Sequence, residues 1–395
     1  MRLAQSSAAL HHRQTVASGR RAKKKRIELP FWETNMKRIS RRWGSTFLLS
    51  IVCACVSAPH LASAQSPAAK PAAPVGPASF KNVIRGEAAK AWLTREPAPK
   101  RKYVIAVALP NMPDPSWQAI WYGAQVQGQK LGVNMRIADA GGYNKLDVQV
   151  SQLENFIQLK VDGIIIGAVQ GDGVAPILRR AADAGIKIVD AFIYESSGRT
   201  SSRVINNQRE IGAAEATYLG RALGGKGNVV MLFGPAGNAT LIERGLGFKE
   251  ALSRQHPQMR ILAERYSDIN RPEGLKQMED LLQAFPGQIQ GVYSPSAFLA
   301  DGAADAIAAK RAGKILIATA GTNVGVIDRL KKGEIHMVAD QQNVMQGRMA
   351  VNVMVAVLNG EPVPELITPP IREVTTENLS SIDWSVSLPP AGWKP

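Results

Sequence analysis

YVIAVALP (residues 103–110), a helical pattern from Ser116 to Leu131, and VNMRIADA (133–140) together decide the fold class. The first run is apolar without alternation, which suits a strand covered on both faces of a parallel sheet. The helical pattern stops at Gly132, where a left-handed C-terminal cap favours glycine. The same unit then recurs. Leu146–Leu159 reads as a helix, GIIIGAV (163–169) as a strand and Gly173–Ala184 as a helix, followed by strands KIVDAF (187–192) and SRVINN (202–207). A second series follows Asn207. Its strands are NVVMLFG (228–234), MRILAERY (259–266), GVYS (291–294), ILIATAG (315–321) and IHMVAD (335–340). Its helices are Glu210–Leu223, Thr240–Gln255, Pro272–Ala284, Leu299–Ala309 and Val324–Lys331, and Val344–Leu358 forms a long final helix. Strands alternating with helices of this length specify right-handed βαβ crossovers. Two such series predict an α/β protein of two doubly wound parallel-sheet lobes joined by a hinge. A single closed barrel is the structural alternative. The lobed reading places a ligand cleft between facing carboxyl ends of strands.

Outward from this block, the N-terminal region has a different character. From Met36 a basic run (Lys37, Arg38, Arg41, Arg42) precedes an apolar stretch from about Phe47 to Val56, then Ala62-Ser63-Ala64. These are the three regions of a secretory signal peptide, predicting export to the periplasm with cleavage after Ala64 and a true start at Met36. The apolar run is too short for a membrane span, which needs about 20 residues. Both cysteines, Cys53 and Cys55, fall inside this leader, and Cys55 is a poor candidate for lipidation. The exported chain therefore offers no disulfide, thiol nucleophile or thiolate ligand. Residues 65–100, rich in Pro, Ala and Lys, read as a linker with a short helix around Ala88–Leu93.

The formal charge of +16 in 395 residues suggests nucleic acid until its location is considered. Residues 1–64 hold 12 of the 48 basic and 2 of the 32 acidic side chains, leaving +6 over the other 331 residues. No nucleic-acid partner is expected.

Catalytic and metal patterns are missing. After the leader the only histidines are His256 and His336, unpaired in sequence, and no metal-ligand spacing, nucleophile elbow or phosphate loop appears. The reading is a non-enzyme with no catalytic residues, metal or cofactor. Polar and aromatic residues do recur just beyond strand ends. In the first series these are Asn111, Trp117, Tyr143, Gln170 and Asp190, with Asn207 where the series change over. In the second they are Asn238, Arg244, Ser296, Asn323 and Gln341. Taken singly, each suits a turn or helix cap, because Gly, Pro, Asn, Asp and Ser are favoured there for backbone reasons. Taken together, they fall on the same side of the sheets and predict a ligand site. Trp117, one helical turn from Trp121, is the expected stacking ring.

On these residues the chain from Tyr103 to about Leu358 resembles the type I periplasmic solute-binding proteins, which share a fold with sugar-responsive repressors. The likeness lies in YVIAVALPN with Trp117, Gln149 in LDVQVSQLENFI, AGIKIVDAF, GPAGNATLIERGLGFKEAL with Arg244, and Val338-Ala339-Asp340-Gln341 before Gly347. Ala140-Gly141-Gly142-Tyr143, Asp340-Gln341-Gln342, Thr368-Pro369-Pro370-Ile371 and the tail LPPAGWKP (388–395) further resemble the TorT-type subgroup, periplasmic partners of a membrane sensor kinase. The resemblance implies a first lobe of residues 101–206 plus 342–370 and a second of 207–341 plus 371–395. It implies a receptor that closes on a small polar ligand, whether sugar, polyol, methylated amine or N-oxide. The closed form would then meet a sensor histidine kinase or an ABC permease. Sugar-binding members usually place an Asp after GVYS and another after ILIATAG; here Ser294-Pro295-Ser296 and Thr322-Asn323 stand instead. A sugar importer component proper and a secreted α/β enzyme remain as alternatives.

Overall fold

A computed structural model describes residues 80–395 except Gly237. The leader, its cleavage site and residues 65–79 of the linker lie outside the described residues. The chain builds two parallel sheets, so the closed barrel is excluded. The first sheet contains β1 (Val83–Arg85), β2 (Val104–Leu109), β3 (Asn134–Asp139), β4 (Gly163–Ile166), β5 (Lys187–Ala191), β6 (Ser202–Val204) and β12 (Leu366–Thr368), in the order β1-β12-β6-β5-β4-β2-β3. The second contains β7 (Lys226–Phe233), β8 (Gln258–Tyr266), β9 (Gly291–Ser294), β10 (Leu316–Ala320), β11 (Met337–Asp340) and β13 (Arg372–Thr375), in the order β13-β11-β10-β9-β7-β8. Only β13 runs antiparallel, against β11. In each lobe helices pack on both faces of the sheet, giving three layers.

In the first lobe α2 (Pro115–Leu131) and α10 (Asn343–Leu358) cover one face of the sheet, with Trp117, Ile120, Met345 and Met349 in one core. The other face packs against α3 (Leu146–Gln158) and α4 (Gly171–Asp183) through Leu153, Phe156 and Leu178. α2 and α10 approach so closely that a Cβ on Gly347 would lie 2.0 Å from the Ile120 carbonyl oxygen. In the second lobe α5 (Gln208–Ala222) and α6 (Ala239–Gln255) cover one face, and α7 (Arg271–Ala284), α8 (Ala297–Lys310) and α9 (Val324–Lys331) serve the other.

Two boundaries differ from the sequence reading. From Phe80 onward the expected linker is built into the first lobe. β1 pairs with β12, the short helix α1 (Ala91–Thr94) follows, and Trp92 is buried. Asn352 Nδ2 donates to the carbonyls of Trp92 (2.8 Å) and Leu93 (3.2 Å), so a polar core residue of α10 fixes this segment. The tail beyond β13 does not stay wholly with the second lobe either, because Val386 and Trp393 pack against the first-lobe core.

The chain passes between the lobes three times, at residues 205–207, 341–342 and 369–371. Side-chain amides lace these crossings. Asn206 Nδ2 donates to the Gln341 carbonyl (3.4 Å), Gln342 Nε2 to the Pro370 carbonyl (2.7 Å) and Gln346 Nε2 to the Val204 carbonyl (2.7 Å). Gln342 itself adopts φ +55°. Asp340, at the end of β11, accepts from Thr322 Oγ1 (2.9 Å), Ser387 Oγ (2.7 Å) and Arg372 Nη2 (2.7 Å). Such short, well-bonded crossings between two rigid cores suit hinge motion.

Candidate ligand cleft

The first-lobe wall starts where β2 ends. Asp114 caps α2, its Oδ1 accepting from Ser116 N (2.9 Å), while its Oδ2 accepts from Tyr143 Oη (2.8 Å). Tyr143 Oη in turn accepts from Trp117 Nε1 (2.8 Å). Asp139 joins the two loops involved, its Oδ1 accepting from Met112 N and Gly141 N, both at 3.0 Å. Trp117 has none of its surface accessible. Its ring packs on Phe192 at 4.7 Å between centroids and over Gly167, where a Cβ would stand 2.4 Å from the indole. The expected stacking ring is thus the wall behind the site, and Tyr143 and Phe192 stand in front of it. Phe192 holds φ +87°, a conformation a bulky residue rarely adopts and one that clusters at functional sites. Gln149 fastens the next loop, with Nε2 donating to the Gly167 carbonyl (2.9 Å) and Oε1 accepting from Val169 N (2.7 Å).

Arg244 of α6 forms the second-lobe wall. It is 4% exposed, donating from Nη2 to Gln208 Oε1 (2.6 Å) and from Nη1 to the Pro295 carbonyl. Desolvation lowers its pKa, opposed by the fields of Tyr293, Glu215 and, from the opposite lobe, Asp114 and Tyr143. Tyr143 keeps 42% of its surface accessible, yet burial pushes its phenol well above the usual range, with Asp114 adding to the rise. The charges of Asp114 and Tyr143 thus reach Arg244 from the other lobe.

Behind Arg244 lie Glu215 and Tyr293, both fully buried, with neither Glu215 oxygen nor Tyr293 Oη hydrogen-bonded. Desolvation raises the Glu215 carboxyl well above its usual range against the attraction of Arg244. Raised in the fold, it holds a proton that the unfolded chain releases, so its contribution to stability is complete below about pH 4.5 and declines as pH rises toward the folded value. Glu215→Gln is expected to flatten the stability–pH curve above that point by up to about 1.4 kcal/mol per pH unit. Denaturant unfolding between pH 5 and 8 checks this, and parallel curves for parent and variant would refute it.

Asp190, at the end of β5, is also fully buried. Its Oδ2 accepts from Glu195 N (3.0 Å) and lies 3.6 Å from Arg203 Nε, whereas Oδ1 has no partner. Burial raises its pKa well above the usual range, with Arg203 opposing. Gln341 is 2% exposed in the second crossing, its Nε2 unpartnered.

The remaining predicted residues are placed differently. Asn207, Asn238, Ser296 and Asn323 are N-caps of α5, α6, α8 and α9, accepting from backbone N–H groups of Arg209, Leu241, Phe298 and Val326. Their side-chain oxygens serve helix ends, the ordinary use of those residue types. Gln170 is exposed at the start of α4, and Asn111 is half-buried with its carbonyl accepting from Asp114 N (3.1 Å). Sequence reading missed Asp114, Phe192, Gln208 and Glu215. Asp114, directly before Pro115 and Ser116, occupies a legible capping position; the other three are brought in by helix and strand packing. Among the described residues no group of three or more His, Cys, Asp or Glu could hold a metal, and no helix is long and apolar enough to cross a membrane.

Residues 105–362 match the model of the periplasmic binding protein domain, and the chain belongs to that family. It is similar to the ribose import binding protein RbsB of Bacillus subtilis, 25% identical over 274 residues, covering 69% of this chain and 87% of that protein. It is also similar to the periplasmic protein TorT of Escherichia coli, 25% identical over 324 residues, covering 80% and 92%. A solved ABC transporter solute-binding protein from a Bradyrhizobium species, with bound bis-tris, superposes with TM-score 0.69 at 29% identity, covering 75% of this chain and 90% of that one. The Bacillus and Bradyrhizobium relatives are binding proteins.

Proposed function

We propose that this protein is a periplasmic receptor that closes on a small polar ligand and presents its closed form to a membrane partner. The observation that carries the reading is the pairing of walls. Asp114 and Tyr143 of one lobe lie within the electrostatic reach of Arg244 on the other. A ligand touching both favours the closed arrangement, which is the requirement for a ligand to shift a two-state equilibrium. Tyr143 and Phe192 supply rings, Arg244 donates, and the Asp114 carboxylate accepts. This donor and acceptor set suits a hydroxylated or dipolar molecule. Ribose, named for one relative, and bis-tris, an amine polyol bound in another, support that class. Export through the leader at residues 36–64 completes the reading.

The TorT likeness favours a signalling output through a sensor kinase, because that alignment covers more of this chain than the match to the ribose importer component. The test is a thermal-shift and calorimetric screen of the purified protein with ribose, xylitol, bis-tris and trimethylamine N-oxide. A ligand present at 100 times its Kd stabilises by about 2.7 kcal/mol, and Arg244→Met is expected to abolish that shift. No stabilisation by any of these classes, or a shift unchanged in Arg244→Met, would count against the site.

A further inference from the structure

The segment after β13 leaves the lobe that β13 joins. Leu379, Ile382 and Trp384 pack on the second-lobe core. Arg372 secures this run, its Nη2 donating to the Asp383 carbonyl (3.0 Å) and to Ser387 Oγ (2.9 Å). The chain then crosses to the other lobe. Pro389 and Pro390 stiffen the passage, Trp393 N donates to the Pro390 carbonyl (3.1 Å), and the Trp393 ring meets Tyr122 of α2 edge-on at 5.3 Å between centroids. Beside this run lies a groove of about 680 Å³, walled by Tyr122 from the first lobe, Val324 and Ile327 from the second, and Trp384, Leu388 and Pro389 of the segment itself. The second-lobe end is held by the Arg372 hydrogen bonds, and the first-lobe end by Val386 and Trp393, which pack on that lobe's core.

We propose that Trp384–Pro395 is a strap that holds the two lobes near the angle seen here, gripping the second lobe through Arg372 and resting on the first through Val386 and Trp393. The three crossings join the lobes but leave their angle free to vary. The strap adds an interlobe contact that uses none of the cleft residues, so it sets the resting equilibrium on which a ligand acts. Loss of one aromatic pair changes such an equilibrium about two- to tenfold.

The test places spin labels at Val148→Cys and Ile242→Cys, both partly exposed and on different lobes, in the full chain with Cys53 and Cys55 replaced by Ser. Interlobe distances are measured without ligand, so the outcome is independent of the receptor reading. Trp393→Ala, and separately a chain cut after Leu388, are expected to broaden the distance distribution and to change the ratio of parent to displaced populations about two- to tenfold. Trp393→Phe is expected to keep the parent distribution. Superimposable distributions for parent and Trp393→Ala would overturn the strap, whether or not the cut chain folds.

Discussion

Trp117→Ala is expected to lower unfolding stability by about 3–5 kcal/mol, the range for removing a large aromatic side chain from a close-packed core. The indole is fully buried among Phe192, Gly167 and the helix that bears it, so its loss leaves a cavity that backbone on two sides resists filling. It also removes the N–H that positions Tyr143 Oη. Trp117→Phe keeps most of the volume but loses that hydrogen bond and part of the ring, at roughly 1–2 kcal/mol. Urea unfolding of both variants separates packing from hydrogen bonding. A cost below 1 kcal/mol for Trp117→Ala would mean that the ring is not a core element.

The second large effect is expected at Asp340. This carboxylate is 1% exposed and collects donors from Thr322, Arg372 and Ser387, which come from three separate segments. Asp340→Ala leaves the partly buried Arg372 without its counter-charge, and breaking such a pair by removing one partner costs about 3–5 kcal/mol. Asp340→Asn keeps the shape and one acceptor, and is expected to cost less. Denaturant midpoints measure both, and faster proteolytic nicking within residues 376–395 is expected in the alanine variant, because Asp340 holds Ser387 and Arg372 in place. An alanine variant as stable as the parent would show that the three segments are held by apolar packing alone.

Much of the fold was legible because its strands are buried on both faces. Runs such as GIIIGAV and KIVDAF have no solvent side to please, so they stand out from the amphipathic helices between them. Three strands, β1, β12 and β13, were not legible. Each falls outside the alternating strand–helix series, β12 between prolines and β13 among charged residues, and the Pro- and Ala-rich surroundings of β1 masked a strand that pairs with the edge β12 offers. The candidate site divides in the same way. Arg244, Tyr143 and Asp190 were singled out among the polar residues beyond strand ends, and their side chains do not cap helices. Asn207, Asn238, Ser296 and Asn323 shared that position, yet their side-chain oxygens cap helices. Position after a strand selects residues for helix capping and for ligand contact alike, and composition does not separate the two.

The sequence by itself determined the order of the main strands and helices, the division into two series and the absence of cysteine after Cys55, since each follows from local pattern and count. Only the tertiary structure decided that Trp117 stands behind Tyr143 and Phe192, that Glu215 is sealed behind Arg244, and that residues 384–395 reach back to Tyr122. Those are contacts between residues tens to hundreds of positions apart. They are fixed by how helices settle on two separate sheets, and no short window of sequence carries that information.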